Sequence, residues 1–369
     1  MKIVYISDSI IPSKSANSVH VMKMCSSFTK NGHQVILICR QGDKKINDEY
    51  EYYGVPNNFK IKKFFWPNIK GGGLIYGFLI KVFLSKLSSD YVVYGRSIYG
   101  LLYAAKKGFS SVFEVHTPPR NNFHYKKEKE LFALPGFKGL VTISQSLANK
   151  YYKDFPLLKN KKNVVAHDGA DIYLDGQLKI KLKGNNNISV GYVGSLYPGK
   201  GVENIVEIAK ICKDMDFYIL GGDNDIVENW QKHTENIKNL YFYGHIQHSN
   251  LYLYMNSFDI MLAPYQVKVY VDYKKNTNTV DWMSPLKIFE YMSYGKAIIC
   301  SDLPVIREIL VNNINSLLCD PVNMESWAEA LNKLRNSNIR EKIGEAAKSL
   351  FLEKYTWEKR ANDVVKIFN

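Results

Sequence analysis

Short runs of consecutive apolar residues alternate along the chain with stretches whose apolar positions recur at helical spacing. That alternation predicts a doubly wound α/β architecture. Residues 3–7 read as a buried strand. A helix follows over about 19–31, with Val21, Cys25 and Phe28 on one face and Gly32 closing it. Residues 34–39 form the next strand, and 91–94, 112–115, 140–143 and 164–166 repeat the theme, with Ser144 placed to cap a helix.

The apolar pattern lapses between residues 171 and 187, the best candidate for a linker. The cycle then restarts. Strands are expected over 188–193, 217–220, 240–243, 260–263 and 297–300, and helices over 202–213 and 286–294. Three helices, at about 324–337, 339–352 and 357–368, close the chain. The expected organisation is an N-terminal domain over 1–175, a second over 186–350, and a C-terminal helix within 351–369 that packs back on the first. Two such halves imply a cleft between them, where ligands of these folds tend to bind.

Charge changes this picture. The net +14 lies wholly in the first half: residues 1–180 carry 27 Lys and Arg against 13 Asp and Glu, and residues 181–369 carry 22 of each. The asymmetry fits one half meeting an anionic surface, or simply a lysine-rich composition. The five cysteines show no metal-ligand spacing, so a reduced cytosol is expected. No signal peptide is expected, and the most apolar helical stretch, 74–84, is about half the length of a membrane span. A cytoplasmic protein is expected, peripheral at most on the inner face of the cell membrane.

Gly194-Ser195-Leu196-Tyr197-Pro198-Gly199-Lys200-Gly201 lies between a strand and a helix. Its glycines let the backbone approach a ligand, the helix start offers free N–H groups to an anion, and Lys200 adds a full charge, a set suited to a diphosphate. A surface turn with a solvated lysine is the plainer alternative. Ser284-Pro285-Leu286-Lys287 opens a second helix, and Glu290 falls one turn on, where a carboxylate suits a ribose diol or merely caps the helix. His116 ends the run 112–115, and Arg96 follows the strand 91–94, placed to bind an acceptor phosphate or to pair with an acid. Asp214-Met215-Asp216 and Asp223-Asn224-Asp225 look like metal-binding pairs but sit where turns favour Asp and Asn. No G-x-G-x-x-G follows the first strand.

In this order and spacing, the two segments resemble the retaining glycosyltransferases of family 4, which have the GT-B fold: two Rossmann-like doubly wound domains facing a central cleft. Further family-like stretches occur at 31–35, 144–147, 167–171, 243–246, 301–310 and 354–358. By this resemblance Lys200 matches the phosphate-binding lysine, Glu290 the second glutamate of an E-x7-E pattern, and His116 a histidine that contacts the donor sugar. The catalytic set implied is His116, Lys200 and Glu290. The donor set is Asn17, Gly194, Ser195, Lys200, Ser284, Pro285, Leu286, Lys287 and Glu290, and Arg96 and His20 are assigned to the acceptor. The sequence departs from the family in three places. Ser195 stands at the family's arginine, with Lys287 as the substitute charge; Trp282 stands at the first glutamate; and 15–18 (Ser-Ala-Asn-Ser) replaces a Gly-Gly loop. An S-P-x-K-x-x-E-Y branch shares this form.

The resemblance implies metal-independent transfer, with retention of configuration, from a nucleotide sugar to a glycan or polyprenyl-linked saccharide of a bacterial surface polysaccharide. No cofactor is expected, and an anionic membrane surface is the expected further partner, with no nucleic acid. A nucleotide-sugar epimerase of the same fold and a non-catalytic sugar-nucleotide-binding subunit are the alternatives.

Overall fold

The structure is a computed structural model. It describes every residue except 44, 68, 70 and 174–177, and at 248 and 249 the backbone alone. The chain divides into two compact units, residues 1–168 with 357–369 and residues 169–356. The first boundary thus falls a few residues before the expected 175, and part of the expected linker lies outside the described residues.

The first unit runs β1 (Lys2–Ile11), α1 (Ala16–Lys30), β2 (Gln34–Gln41), α2 (Glu49–Tyr52), β3 (Lys60–Phe64), α3 (Gly72–Leu84), β4 (Tyr91–Gly95), α4 (Ile98–Lys106), β5 (Ser111–Val115), α5 (Asn122–Ala133), β6 (Phe137–Thr142), α6 (Gln145–Asp154) and β7 (Lys162–Val165). Its seven strands lie in the order β3-β2-β1-β4-β5-β6-β7, all parallel. Parallel strands are covered on both faces, so they read as continuous apolar runs. Ile3 to Ile6 and Val112 to Val115 are accordingly buried, with Glu114 the one charge among them. Ser15 accepts from the Asn17 N–H to start α1 three residues before the expected position, and Ser144 caps α6 through the Leu147 N–H at 3.1 Å, as expected.

The second unit runs β8 (Ser189–Val193), α7 (Val202–Ile211), β9 (Asp216–Leu220), α8 (Asn224–His233), β10 (Leu240–Gly244), α9 (His248–Ser257), β11 (Ile260–Ala263), α10 (Leu286–Ser293), β12 (Ala297–Ser301), β13 (Leu317–Cys319), α11 (Met324–Lys333) and α12 (Ser337–Lys354). Its six strands follow β10-β9-β8-β11-β12-β13, again parallel. Two apolar cores cover it, one built around Phe289, Met292 and Phe351 and the other around Ile205, Trp327 and Leu331. In both sheets the strand order reverses at the first strand of the unit, the switch point beside which doubly wound sheets bind ligands.

The last helix, α13 (Trp357–Val365), belongs to the first unit and packs on α1. The two passages of the chain meet inside the second unit, where Ala170 pairs with Thr356 and the Ala170 N–H donates to the Tyr355 carbonyl at 3.2 Å.

Candidate active site

In the second unit, the loop after β8 turns on glycine. Gly194 (φ +149°) donates its N–H to the Leu220 carbonyl at 2.9 Å, and Gly201 (φ +86°) opens α7 in the left-handed region, where a Cβ would lie 1.7 Å from the Pro264 carbonyl oxygen. The segment 265–284 braces this loop: the Gln266 N–H donates to Gly199 at 3.0 Å and the Tyr270 N–H to Pro198 at 3.1 Å. Tyr291 on α10 ties that helix to the end of β8 by accepting from the Val193 N–H at 2.9 Å. The start of α10 is thereby fixed beside the β8 loop.

Two lysines converge there. Lys287 Nζ lies 3.7 Å from the ring centre of Tyr192 and 5.3 Å from that of Tyr265, and Lys200 Nζ lies 5.5 Å from the same Tyr265 ring. A Cβ at Gly194 would come within 2.8 Å of Lys287 Nζ, so the ammonium reaches close against the loop backbone. Among the described residues Lys287 Nζ is buried without a hydrogen-bond partner. Burial and then the nearby Lys200 hold its pKa well below the ordinary lysine range, with Glu290 pulling the other way. Burial alone lowers Lys200 to about 8. Ser284 is buried, Pro285 stands at the cap of α10 with no side-chain hydrogen bond there, and Leu286 and Lys287 form the first turn. Ser195 contributes its carbonyl, which accepts from the Tyr192 hydroxyl at 2.7 Å. The structure therefore brings Gly194, Lys200, Lys287 and Glu290 to one place, with a helix N-terminus beside them.

In the first unit, a second group forms around Glu114 of β5. Its Oε1 accepts from His116 Nε2 at 2.6 Å and Arg360 Nη2 at 2.9 Å, and lies 2.8 Å from His20 Nε2; its Oε2 accepts from the Tyr94 hydroxyl. His20 Nδ1 meets Asp168 at 2.8 Å, so each nitrogen of this ring faces a carboxylate. Burial pushes Glu114 up, but Arg360, His20 and His116 together hold it well below the usual carboxylate range. Burial, with Arg96 next, lowers His116 to about 3, which makes its imidazole neutral at physiological pH. Arg96 donates to the Asn17 side chain, joining two further sequence-predicted residues to this group. His20 is buried behind His116, with ring centres 4.8 Å apart, and so supports that ring rather than facing an acceptor. Asp8, at the end of β1 beside Ser97 and near Arg120, Arg40 and Arg96, has its carboxyl raised by burial.

Glu114, Asp168, Arg360 and Asp8 escaped the sequence reading as functional residues. Asp168 lies inside the family-like stretch 167–171 and Arg360 follows the stretch 354–358, so those segments carried the only usable signal. The D-x-D pairs resolve into structural roles: Asp214 pairs with Arg335, Asp216 accepts from Asn186, and Asp223 begins α8. Among the described residues, one group, His20, Glu114 and His116, places its ligand-type atoms close enough for a metal ion. The Arg360 guanidinium also pairs with this Glu114 oxygen, at 2.9 Å.

Comparison with known proteins agrees with this geometry. A model described as glycosyl transferases group 1 matches residues 177–350, and one described as glycosyltransferase family 4 matches residues 18–173. An uncharacterized glycosyltransferase of Methanocaldococcus jannaschii, MJ1069, is 25% identical over 339 residues, 86% of this chain and 80% of that protein. Sucrose-phosphate synthase of Thermosynechococcus elongatus has the same fold, with a TM-score of 0.75 at 14% identity over 100% of this chain and 98% of that one. So does Anabaena HepE, crystallised with UDP, with a TM-score of 0.70 at 14% identity over 100% and 99% of the two chains. Two parallel doubly wound sheets, matched along nearly their whole length by glycosyltransferase sequences and structures, make this chain a glycosyltransferase of the GT-B type.

Proposed function

We propose that the protein transfers a sugar, with retention of configuration and without a metal ion, from a nucleoside-diphosphate sugar to a glycan or polyprenyl-linked saccharide. The observation that carries this reading is the buried, unpartnered Nζ of Lys287, with Lys200 across the Tyr265 ring and the first turn of α10 beside it. A buried ammonium wants an anion, and a diphosphate supplies negative charge to both lysines. Lys287 takes the place of the arginine that Ser195 lacks, entering from the other segment. As the glycosidic bond lengthens, negative charge grows on the departing diphosphate, and the two lysines with the helix N-terminus stabilise it, a contribution on the order of several kcal/mol.

Glu290 takes the ribose hydroxyls. His116, with Nε2 committed to Glu114, offers its other nitrogen to the donor sugar. The attacking hydroxyl enters on the face the diphosphate leaves, and a diphosphate oxygen accepts its proton, which is how configuration is retained without a carboxylate nucleophile. Arg96 serves the acceptor side and holds Asn17, which keeps its place in the donor set. Trp282 at the first glutamate position leaves donor-sugar recognition to other groups.

The test is a thermal-shift screen of nucleotide sugars without added metal, on the wild type and on Lys287→Met and Glu290→Ala. One nucleotide sugar is expected to raise the melting temperature of the wild type, with the shift lost in Lys287→Met. Product analysis then separates transfer from epimerisation, because an epimerase converts the donor with no acceptor present. A wild type that no nucleotide sugar or free nucleotide shifts would move the non-catalytic reading to the front.

A further inference from the structure

Helix α3 has apolar residues all round, yet only one side of it is covered. Gly72, Gly73, Tyr76, Ile80 and Leu84 face inward, against β3 and α4. The opposite side carries Leu74, Ile75, Phe78 and Val82, with Leu74 64% and Phe78 60% exposed. Just before it, Phe65 and Ile69 are about as exposed, at 67% and 64%. The surface continues along the molecule: Tyr99 of α4 lies against Gly73 and Gly77 of α3, and its ring pairs at 6.3 Å with the exposed Phe123 of α5. A helix of this composition is ordinarily buried, and contiguous exposed apolar surface of this kind marks a site of interaction.

The charge around it is predominantly positive, the nearby acids Glu49 and Glu130 being paired with Lys63 and with Lys106 and Lys127. Residues 52–113 contain nine Lys and Arg and a single acid, Asp90, which is paired with Lys2 at 2.7 Å. Lys60 and Lys62 on the edge strand β3, Lys81 and Lys86 at the end of α3, and Lys126 beyond Phe123 are all exposed. A second copy of the chain would bring two such fields together and be repelled. An anionic lipid surface satisfies both features at once, since acyl chains accept the leucine and phenylalanine side chains and headgroup phosphates accept the lysines. The helix has 13 residues, too short to cross, so it lies in the interface.

We infer that the α3 face of the first unit docks on an anionic phospholipid surface. The inference goes beyond the donor reading and stands independently of it. Full-length protein is floated with phosphatidylcholine vesicles and with mixed phosphatidylcholine–phosphatidylglycerol vesicles, at low and high salt. The wild type is expected to float with the mixed vesicles alone and to be released by salt. Leu74→Asn/Phe78→Asn and Lys60→Glu/Lys62→Glu should each weaken binding on the order of tenfold, while keeping the wild-type melting temperature and any nucleotide shift. A wild type that does not float with the mixed vesicles overturns the inference, as do variants that float as it does. So does an apolar variant that abolishes self-association in sedimentation without changing flotation. Loss of every nucleotide shift with flotation intact would remove the donor reading and leave this one standing.

Discussion

A lysine taken out of water holds its proton less tightly unless a negative charge accompanies it. Lys200, lowered to about 8 from an ordinary 10.5, shows the cost in the empty site. The unfolded chain binds the proton more tightly than the folded one between those two values. Stability of the empty protein should therefore rise as pH climbs from about 8 toward 10.5, and the full cost is present below about 8. Anion binding runs the other way, because it needs the charged form. The melting-temperature shift produced by a nucleoside diphosphate should shrink as pH rises through about 8. Lys200→Met should stabilise the empty protein by on the order of 1 kcal/mol and abolish the shift. A shift that is flat across this range, or a Met variant that still responds, would show that Lys200 does not touch the ligand.

Helix α13 is held by one buried arginine. Arg360 donates to Glu114, to the His167 carbonyl at 3.0 Å and to the Ala166 carbonyl at 3.1 Å, while Trp357 sets its ring 5.3 Å from His20. Removing one partner of a buried pair strands the other charge, so Arg360→Met should cost about 3–5 kcal/mol. The sign with pH follows from Glu114, whose folded pKa is depressed. Its contribution is present above the ordinary glutamate value of 4.5 and disappears as pH falls below it. Acid unfolding should accordingly begin at higher pH in Arg360→Met, as read by circular dichroism. His116→Asn, by contrast, should leave the stability within about 1 kcal/mol of the wild type, because its ring is partly exposed, and should lower turnover by at least about tenfold.

Elements with continuous apolar runs, such as β1, β5 and β12, were legible in the sequence because both of their faces are covered. Strand β3 was not: Lys60-Ile61-Lys62-Lys63-Phe64 is an edge strand, and edges carry lysine to prevent pairing with other chains. Helices α2, α4, α5, α8 and α9 and the three-residue β13 were missed as well. At the candidate site, turn glycines and Lys200 announced themselves locally. The Glu114 network could not, since its members come from β5, α1, the segment after β7 and α13, with Glu114 and Arg360 alone 246 positions apart in the chain.

At the scale of the whole molecule, the chain order and the folding units disagree. Every residue assigned to the diphosphate, from Gly194 to Glu290, lies within residues 169–356, which possess both cores of their sheet. That segment expressed alone should melt cooperatively and retain the nucleoside-diphosphate shift. Residues 1–168 alone should not fold well, because they lack α13: Met24, Glu114 and His20 would lose Arg360 and Trp357, and the carboxylate would stay buried with its main counter-ion gone. The ends at 168 and 357 emerge side by side, as the Ala170–Thr356 pairing requires, so a short Gly-Ser linker can join residues 1–168 directly to 357–369. The joined chain should regain a cooperative thermal transition that the truncated one lacks, measured by near-ultraviolet circular dichroism. Equal cooperativity in both would mean that α13 closes the chain without completing the fold of the first unit, and would leave the Glu114 network without its structural role.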